Sequence, residues 1–229
     1  SVAVAAIMLT EAPAAAGRRT TSAPAPALTE RVGTFESGTF AEFDQNQSNG
    51  EGSSHTVSTA VAKTGGRSMQ ATIGGGNEGA FSRVLFEGSW AEGKQVVYRA
   101  AFYLPAGFFS SQQGQTDLMR FDNWSTTPTQ THRTGATIQS DHRLYLVRQK
   151  LGVEQVTLLG PFSLTDGRWH VIEVRQTLSA TSGAAVNELF LNGTRLGSST
   201  KANMYGSPFT RIRYGIVATS PAQTLPLTL

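Results

Sequence analysis

No stretch of twelve or more residues in this chain holds a sustained 3.6-residue apolar period, and short apolar or alternating runs recur instead between turn residues. That pattern dictates strands and limits any helix to a single turn. Ser68–Ile73 is stopped by three glycines, and Gln95–Leu104 ends at Pro105-Ala106-Gly107. Ala80–Phe86, Asp117–Phe121, Val156–Leu159, Trp169–Thr177, Asn187–Asn192 and Arg211–Ala218 read as further strands. Ala136–Ser140 and Leu144–Gln149 form a hairpin around Asp141-His142-Arg143. Gly33–Phe40 reads as a first strand with a turn, Asp44–Ser54 as a polar loop, and His55–Ala62 as a weakly alternating strand. Asn192-Gly193 demands positive φ at both central residues and predicts a type I′ hairpin. About a dozen strands exceed what an immunoglobulin sandwich holds, so the expected fold is all-β, a two-sheet antiparallel β-sandwich of the jelly-roll kind. The 24 glycines and the 15% of charged residues suit short strands joined by many turns.

The two ends read differently from the middle. Val2–Leu9 is apolar and leads into Glu11 and Ala12-Pro13-Ala14-Ala15-Ala16, the pattern of a signal-peptide core with small-residue cleavage options after Ala14 or Ala16. The run is shorter than the roughly 20 apolar residues a membrane-spanning helix needs. Residues 1–16 are therefore expected to be the remnant of an export segment, residues 17–31 an Ala/Pro/Ser/Thr-rich linker, and residues 32–229 the jelly-roll domain. Pro226–Leu229 sits inside an apolar alternating segment, which reads either as a closing strand or as a frame cut short. A secreted, extracellular protein is the expectation. The absence of cysteine excludes thiol catalysis, zinc held through Cys and any disulfide framework. The net charge of +3 is spread along the chain with no run of five Lys or Arg, so nucleic acid is not an expected partner.

Two segments carry a family resemblance. Leu164-Thr-Asp-Gly-Arg-Trp-His-Val-Ile-Glu-Val-Arg175 and Glu188-Leu-Phe-Leu-Asn-Gly-Thr-Arg-Leu-Gly197 place a turn, a Trp-His strand and an Asn-Gly hairpin in succession. Together with Val97–Pro105 and Phe35-Glu-Ser-Gly38, this resembles laminin-G-like domains of the concanavalin A-like lectin/glucanase superfamily. Heparin-lyase-like and alginate-lyase-like polysaccharide lyases share that sandwich. The resemblance runs from about Phe35 to Ala218 and implies two curved sheets with a concave, often sugar-binding face. It carries no activity by itself.

Chemistry must come from particular residues. Of the four histidines, His170 shares a strand face with Ile172 and Val174, so it reads as a structural histidine bonded to a backbone carbonyl. His142 falls at a hairpin tip and His132 in a polar loop. A β-eliminating lyase needs a cation or amide on the uronate carboxylate, plus a base and an acid. Were the chain a lyase, His55, Arg83 and Tyr145 are the candidates. The Arg-Thr-Glu-x-Arg, Gln-Ile-His and Tyr-Phe-Lys-Ala-Gly strands of alginate lyases are absent, with Phe81-Ser-Arg83 only an echo of the first. The paired carboxylates of a glycosidase are absent as well. Sugar binding needs less. Strand parity puts Arg99, Tyr103, Arg120 and Tyr145 outward, and with Arg83 these form a candidate surface for an acidic glycan. No cofactor is expected. Calcium is the one cation signalled, weakly, by Asp44, Asn46 and Asn49 or by Asp122 and Asn123, and neither cluster matches a calcium loop. The expectation is a noncatalytic module that contacts an extracellular polysaccharide. The alternatives are a uronate-specific polysaccharide lyase and a protein-binding adhesion module.

Overall fold

Alternation decides which side of each strand is buried. On the strand Gln95–Leu104, Tyr98, Ala100, Phe102 and Leu104 are fully buried while Arg99 is exposed. The same rule, repeated strand by strand, builds a two-layer sandwich. The computed structural model describes residues 2–12, 29–50, 52–73, 80–112, 114–123 and 131–218. The strands in chain order are β1 (Val2–Ala12), β2 (Thr29–Gly33), β3 (Gln45–Asn49), β4 (Ser54–Ser58) and β5 (Ser68–Thr72), followed by β6 (Phe81–Trp90) and β7 (Gln95–Leu104). After the single helical turn α1 (Phe108–Ser111) come β8 (Thr116–Asn123), β9 (His132–Ile138), β10 (Arg143–Lys150) and β11 (Glu154–Ser163). β12 (Arg168–Thr177), β13 (Val186–Leu191), β14 (Thr194–Ser199) and β15 (Phe209–Ala218) complete the fold.

One sheet has eight strands in the order β14-β13-β12-β7-β1-β5-β4, with β2 paired to β1. The other has seven, in the order β11-β10-β9-β8-β15-β6-β3. Every pairing described is antiparallel. The all-β sandwich is as expected, and among the described residues no helix is long and apolar enough to cross a membrane.

Between the sheets Trp90 meets Phe121 edge-on at 5.0 Å, Tyr98 lies 4.9 Å from Phe121, and Phe43 stacks on Phe86 at 5.1 Å. Each such side chain contributes about 1.5–3 kcal/mol through burial. A polar network crosses this interior: the Tyr98 hydroxyl donates to Gln176, and Gln176 donates to Thr134 of the opposite sheet and to Asn187.

Two local expectations need correction. Gly33–Phe40 is mostly turn, because the strand there is β2, ending at Gly33. Asp44–Ser54 is not all loop, since Gln45–Asn49 is the edge strand β3. Its five polar residues hide a strand because an edge strand beside an open groove needs no apolar side. Val2–Ala12 forms β1, which pairs with β5 and β7. The Asn192-Gly193 turn is confirmed, with φ of 52° and 82°.

Candidate functional site

The outer side of the seven-stranded sheet carries charge where a solvated surface is the ordinary outcome. Val84, Met119, Phe121, Ala136, Ile212 and Tyr214 turn inward and are buried. Their neighbours Arg83, Arg120, Arg133 and Arg213 turn outward by alternation, yet they are only 2–8% exposed. Four adjacent strands, β6, β15, β8 and β9, thus supply one arginine each. Register places Arg213 opposite Arg120 and Asp122 opposite Arg133.

Two carboxylates on β8 hold this group together. Asp122 Oδ2 accepts from Arg120 Nε at 2.9 Å and lies 3.0 Å from Arg213 Nε. Asp117 Oδ2 lies 3.2 Å from Arg120 Nη1 and 2.9 Å from Arg133 Nη1. Four guanidiniums therefore face two carboxylates among the described residues. Burial, then the fields of Arg213 and Arg120, pushes Arg83 down to about 8. Burial likewise brings Arg213 down to about 9, against the opposing pull of Asp122. Arg120 goes the other way, because Asp122 and Asp117 outweigh its burial. At neutral pH the cluster is cationic.

Glycines shape the floor. A Cβ on Gly135 would lie 2.1 Å from Met119 O and 2.7 Å from Arg120 Cα. One on Gly215 (φ 138°) would lie 2.3 Å from Ser82 O and 2.7 Å from Arg83 Cα. Both positions need glycine for close strand approach. Where β3, β6 and β15 meet, the surface opens into a groove whose lining includes Gln47, Asn49, Phe81, Arg83, Arg211 and Arg213. Arg83 is fixed there: its Nε and Nη2 donate to Gln47 Oε1 at 3.1 and 2.9 Å, and its guanidinium carbon stands 3.7 Å above the Phe81 ring.

The residues singled out in the sequence fall in three places. Arg83 and Arg120 belong to the cluster. Tyr145 is on the same outer side, but three strands separate it from β6, about 19 Å at the usual strand spacing. Its hydroxyl donates to Asp141 at 2.5 Å, which raises its pKa. Arg99 and Tyr103 do face outward, but from β7 of the other sheet. They are therefore not on one surface with Arg120 and Tyr145. Parity was readable, and sheet membership was not. His55 is on β4 of the eight-stranded sheet and reaches across to the other, where Asn46 meets its Nε2 at 3.4 Å and Ser82 its Nδ1 at 3.3 Å. Burial lowers its pKa. Ser82 is fully buried and donates to Ser54 O, so this Ser–His–Asn line offers no accessible nucleophile. His170 accepts the structural role expected of it, 2.6 Å from Thr165 O. Asp44 is engaged by Arg31 at 2.6 Å, and Asp122 by the arginines. No group of three or more His, Cys, Asp or Glu able to hold a metal occurs among the described residues. Sequence reasoning missed Arg133, Arg213, Asp117, Gln47 and Phe81. Strand parity around buried Ile212, Tyr214 and Thr134 was the available signal.

A family model described as polysaccharide lyase matches residues 35–225. The chain belongs to the polysaccharide lyase family. This overturns the expectation of a noncatalytic module. The match holds without the alginate-lyase motifs whose absence argued against catalysis, and the arginine of the discounted Phe81-Ser-Arg83 strand lines the groove together with Arg211 and Arg213. Solved structures agree on the fold of this family member. The endo-β-1,4-glucuronan lyase of the fungus Trichoderma reesei superposes with a TM-score of 0.63 at 18% identity, covering 79% of this chain and 82% of that one. The PL-14 alginate lyase of Aplysia kurodai gives 0.52 at 12% identity, covering 82% and 88%. The alginate lyase vAL-1 from Chlorella virus gives 0.50 at 13%, covering 81% and 88%. No curated protein sequence matches. The comparisons thus carry the lyase side of the resemblance and not the laminin-G side.

Proposed function

We propose that this family member cleaves an extracellular, uronate-containing polysaccharide by β-elimination, with Arg83 as the cation that meets the uronate carboxylate. In that reaction a base removes the proton on the carbon next to the carboxylate. The electron pair then forms the ring double bond and expels the glycosidic oxygen, which takes a proton. Charge builds up on the carboxylate as the proton leaves. A fixed guanidinium in a water-poor site stabilises that charge more than the ground state.

The observation that supports this reading is the arginine row itself, with Arg83 clamped by Gln47 and Phe81 at the edge of an open groove. Gln47 and Asn49 add the amides that pair with carboxylates and hydroxyls. The described residues bring no His–Tyr pair to Arg83. Tyr145 is the one tyrosine on this face: Tyr98 and Tyr214 are in the core, Tyr103 is on the other sheet, and Tyr205 packs against His132 and Arg148.

The test is the ultraviolet absorbance of the unsaturated uronate during incubation with glucuronan, alginate, heparin or pectate. Glucuronan comes first because of the fold shared with the Trichoderma reesei enzyme. Absorbance is expected to rise with one of these polymers, and Arg83→Ala to lower the rate by about 100-fold or more. No rise with any of them, or full activity in Arg83→Ala, would overturn the reading.

A further inference from the structure

The outer side of the eight-stranded sheet is built unlike a merely solvated face. Tyr103 on β7 and Trp169 on β12 are register partners, with ring centroids 5.6 Å apart at 57°. Both are half-buried, while their strand neighbours Phe102, Leu104 and His170 take the core side. The two rings therefore serve no core. Next along the strands come Ala101 and Val171, small enough to leave a low floor. Beyond these stand Arg99 and Glu173, again register partners.

Charge on this side is also in excess. Arg99, Arg175 and Arg195 have side chains 47–50% exposed, against Glu173 and Glu188 at 15% and 24%. Glu173 holds Arg175 at 2.6 Å and Arg99 at only 3.9 Å. Arg99 is thus the loosely held cation, about 13 Å along the strand from Tyr103 by the usual rise per residue. Aromatic rings flanked by a half-free guanidinium fork suit a chain of sugar rings that bears carboxylates.

We propose that this face is a second, noncatalytic docking surface for the acidic polysaccharide, centred on Tyr103 and Trp169 with Arg99 beside them. It lies on the opposite side of the sandwich from the Arg83 groove, so one polymer strand could be held there while another is cut. The acidity of the polymer rests on the function proposed above.

Affinity electrophoresis through gels cast with glucuronan or alginate, with an uncharged glucan as control, tests it. The acidic polymer should retard the wild-type protein. Tyr103→Ala/Trp169→Ala should raise the dissociation constant roughly tenfold, and Trp169→Phe should retain most of the retardation. Arg83→Ala should still be retarded. Activity of the double variant on short uronate oligosaccharides should be unchanged, while its apparent KM for polymer rises. Should the double variant fail to fold by circular dichroism, Arg99→Ala replaces it and should also weaken retardation. Unchanged retardation in the folded variants would overturn the proposal. So would complete loss in Arg83→Ala alone, equal retardation by the uncharged glucan, or a concentration-dependent dimer that the Trp169 change abolishes. If no polymer is cleaved, the lyase reading fails while the gel result still decides this one.

Discussion

Asp122→Asn probes the buried charge cluster most directly. Asp122 is fully buried, and one of its oxygens serves both Arg120 at 2.9 Å and Arg213 at 3.0 Å. The substitution keeps the shape and removes the charge, so four guanidiniums are left facing Asp117 alone among the described residues. Breaking a buried ion pair by deleting one partner costs about 3–5 kcal/mol, chiefly for the stranded charge. Asparagine can still accept one hydrogen bond, which places the cost near about 3 kcal/mol. For a domain of this size each kcal/mol moves the melting temperature by about 2–4 °C, so Tm should fall by roughly 6–12 °C. Differential scanning calorimetry reads this directly. Arg213→Met in the same background should recover part of the loss, because it removes one stranded cation. Asp44→Asn is the surface control: its ion pair with Arg31 is about one-third exposed, and the loss should stay within about 1 kcal/mol. A fall of under about 2 °C for Asp122→Asn would refute the idea that these charges depend on one another.

Gly135→Ala and Gly215→Ala should each lower the urea midpoint by the equivalent of about 1–3 kcal/mol, because the new methyl would strike the neighbouring strand's backbone. Asp117 predicts acid sensitivity: burial raises its pKa, but Arg133 and Arg120 together bring it below the ordinary value. Since the folded pKa is the lower one, its contribution is complete above about pH 4 and is lost as pH falls through the folded value. Urea midpoints measured down to about pH 3 should show this, with a flatter dependence in Asp117→Asn. Arg83→Lys should keep the fold by circular dichroism yet fail to restore activity on polymer, because an ammonium cannot reproduce the fork that rests on Gln47.

The fold was legible where a strand has one dry side. Tyr98, Phe102, Leu144 and Leu146 announced their faces through a two-residue period, and Asn192-Gly193 announced its turn. β3 was illegible because Gln45–Asn49 has an edge on one flank and a groove above it, so burial left no mark on its composition. The candidate site was half legible for a related reason. Arg120 was found from parity and Arg83 from the Phe81-Ser-Arg83 echo, but parity says only which side of a strand a residue takes. That β7 and β8 belong to different sheets follows from long-range pairing, which placed Tyr103 and Arg99 on the far face. The charge balance at Asp122 needed three strands to come together, and no local pattern encodes that.

The burial of the arginine row has a kinetic meaning. Guanidiniums that are 2–8% exposed shed most of their water when the chain folded. A polymer carboxylate arriving at the groove therefore meets cations that need no further dehydration, in surroundings where mobile salt screens poorly. Arg99, Arg175 and Arg195 on the opposite side remain hydrated and screened. The two faces should thus answer differently to ionic strength, with salt releasing the polymer from the far face well before it weakens its grip on the groove.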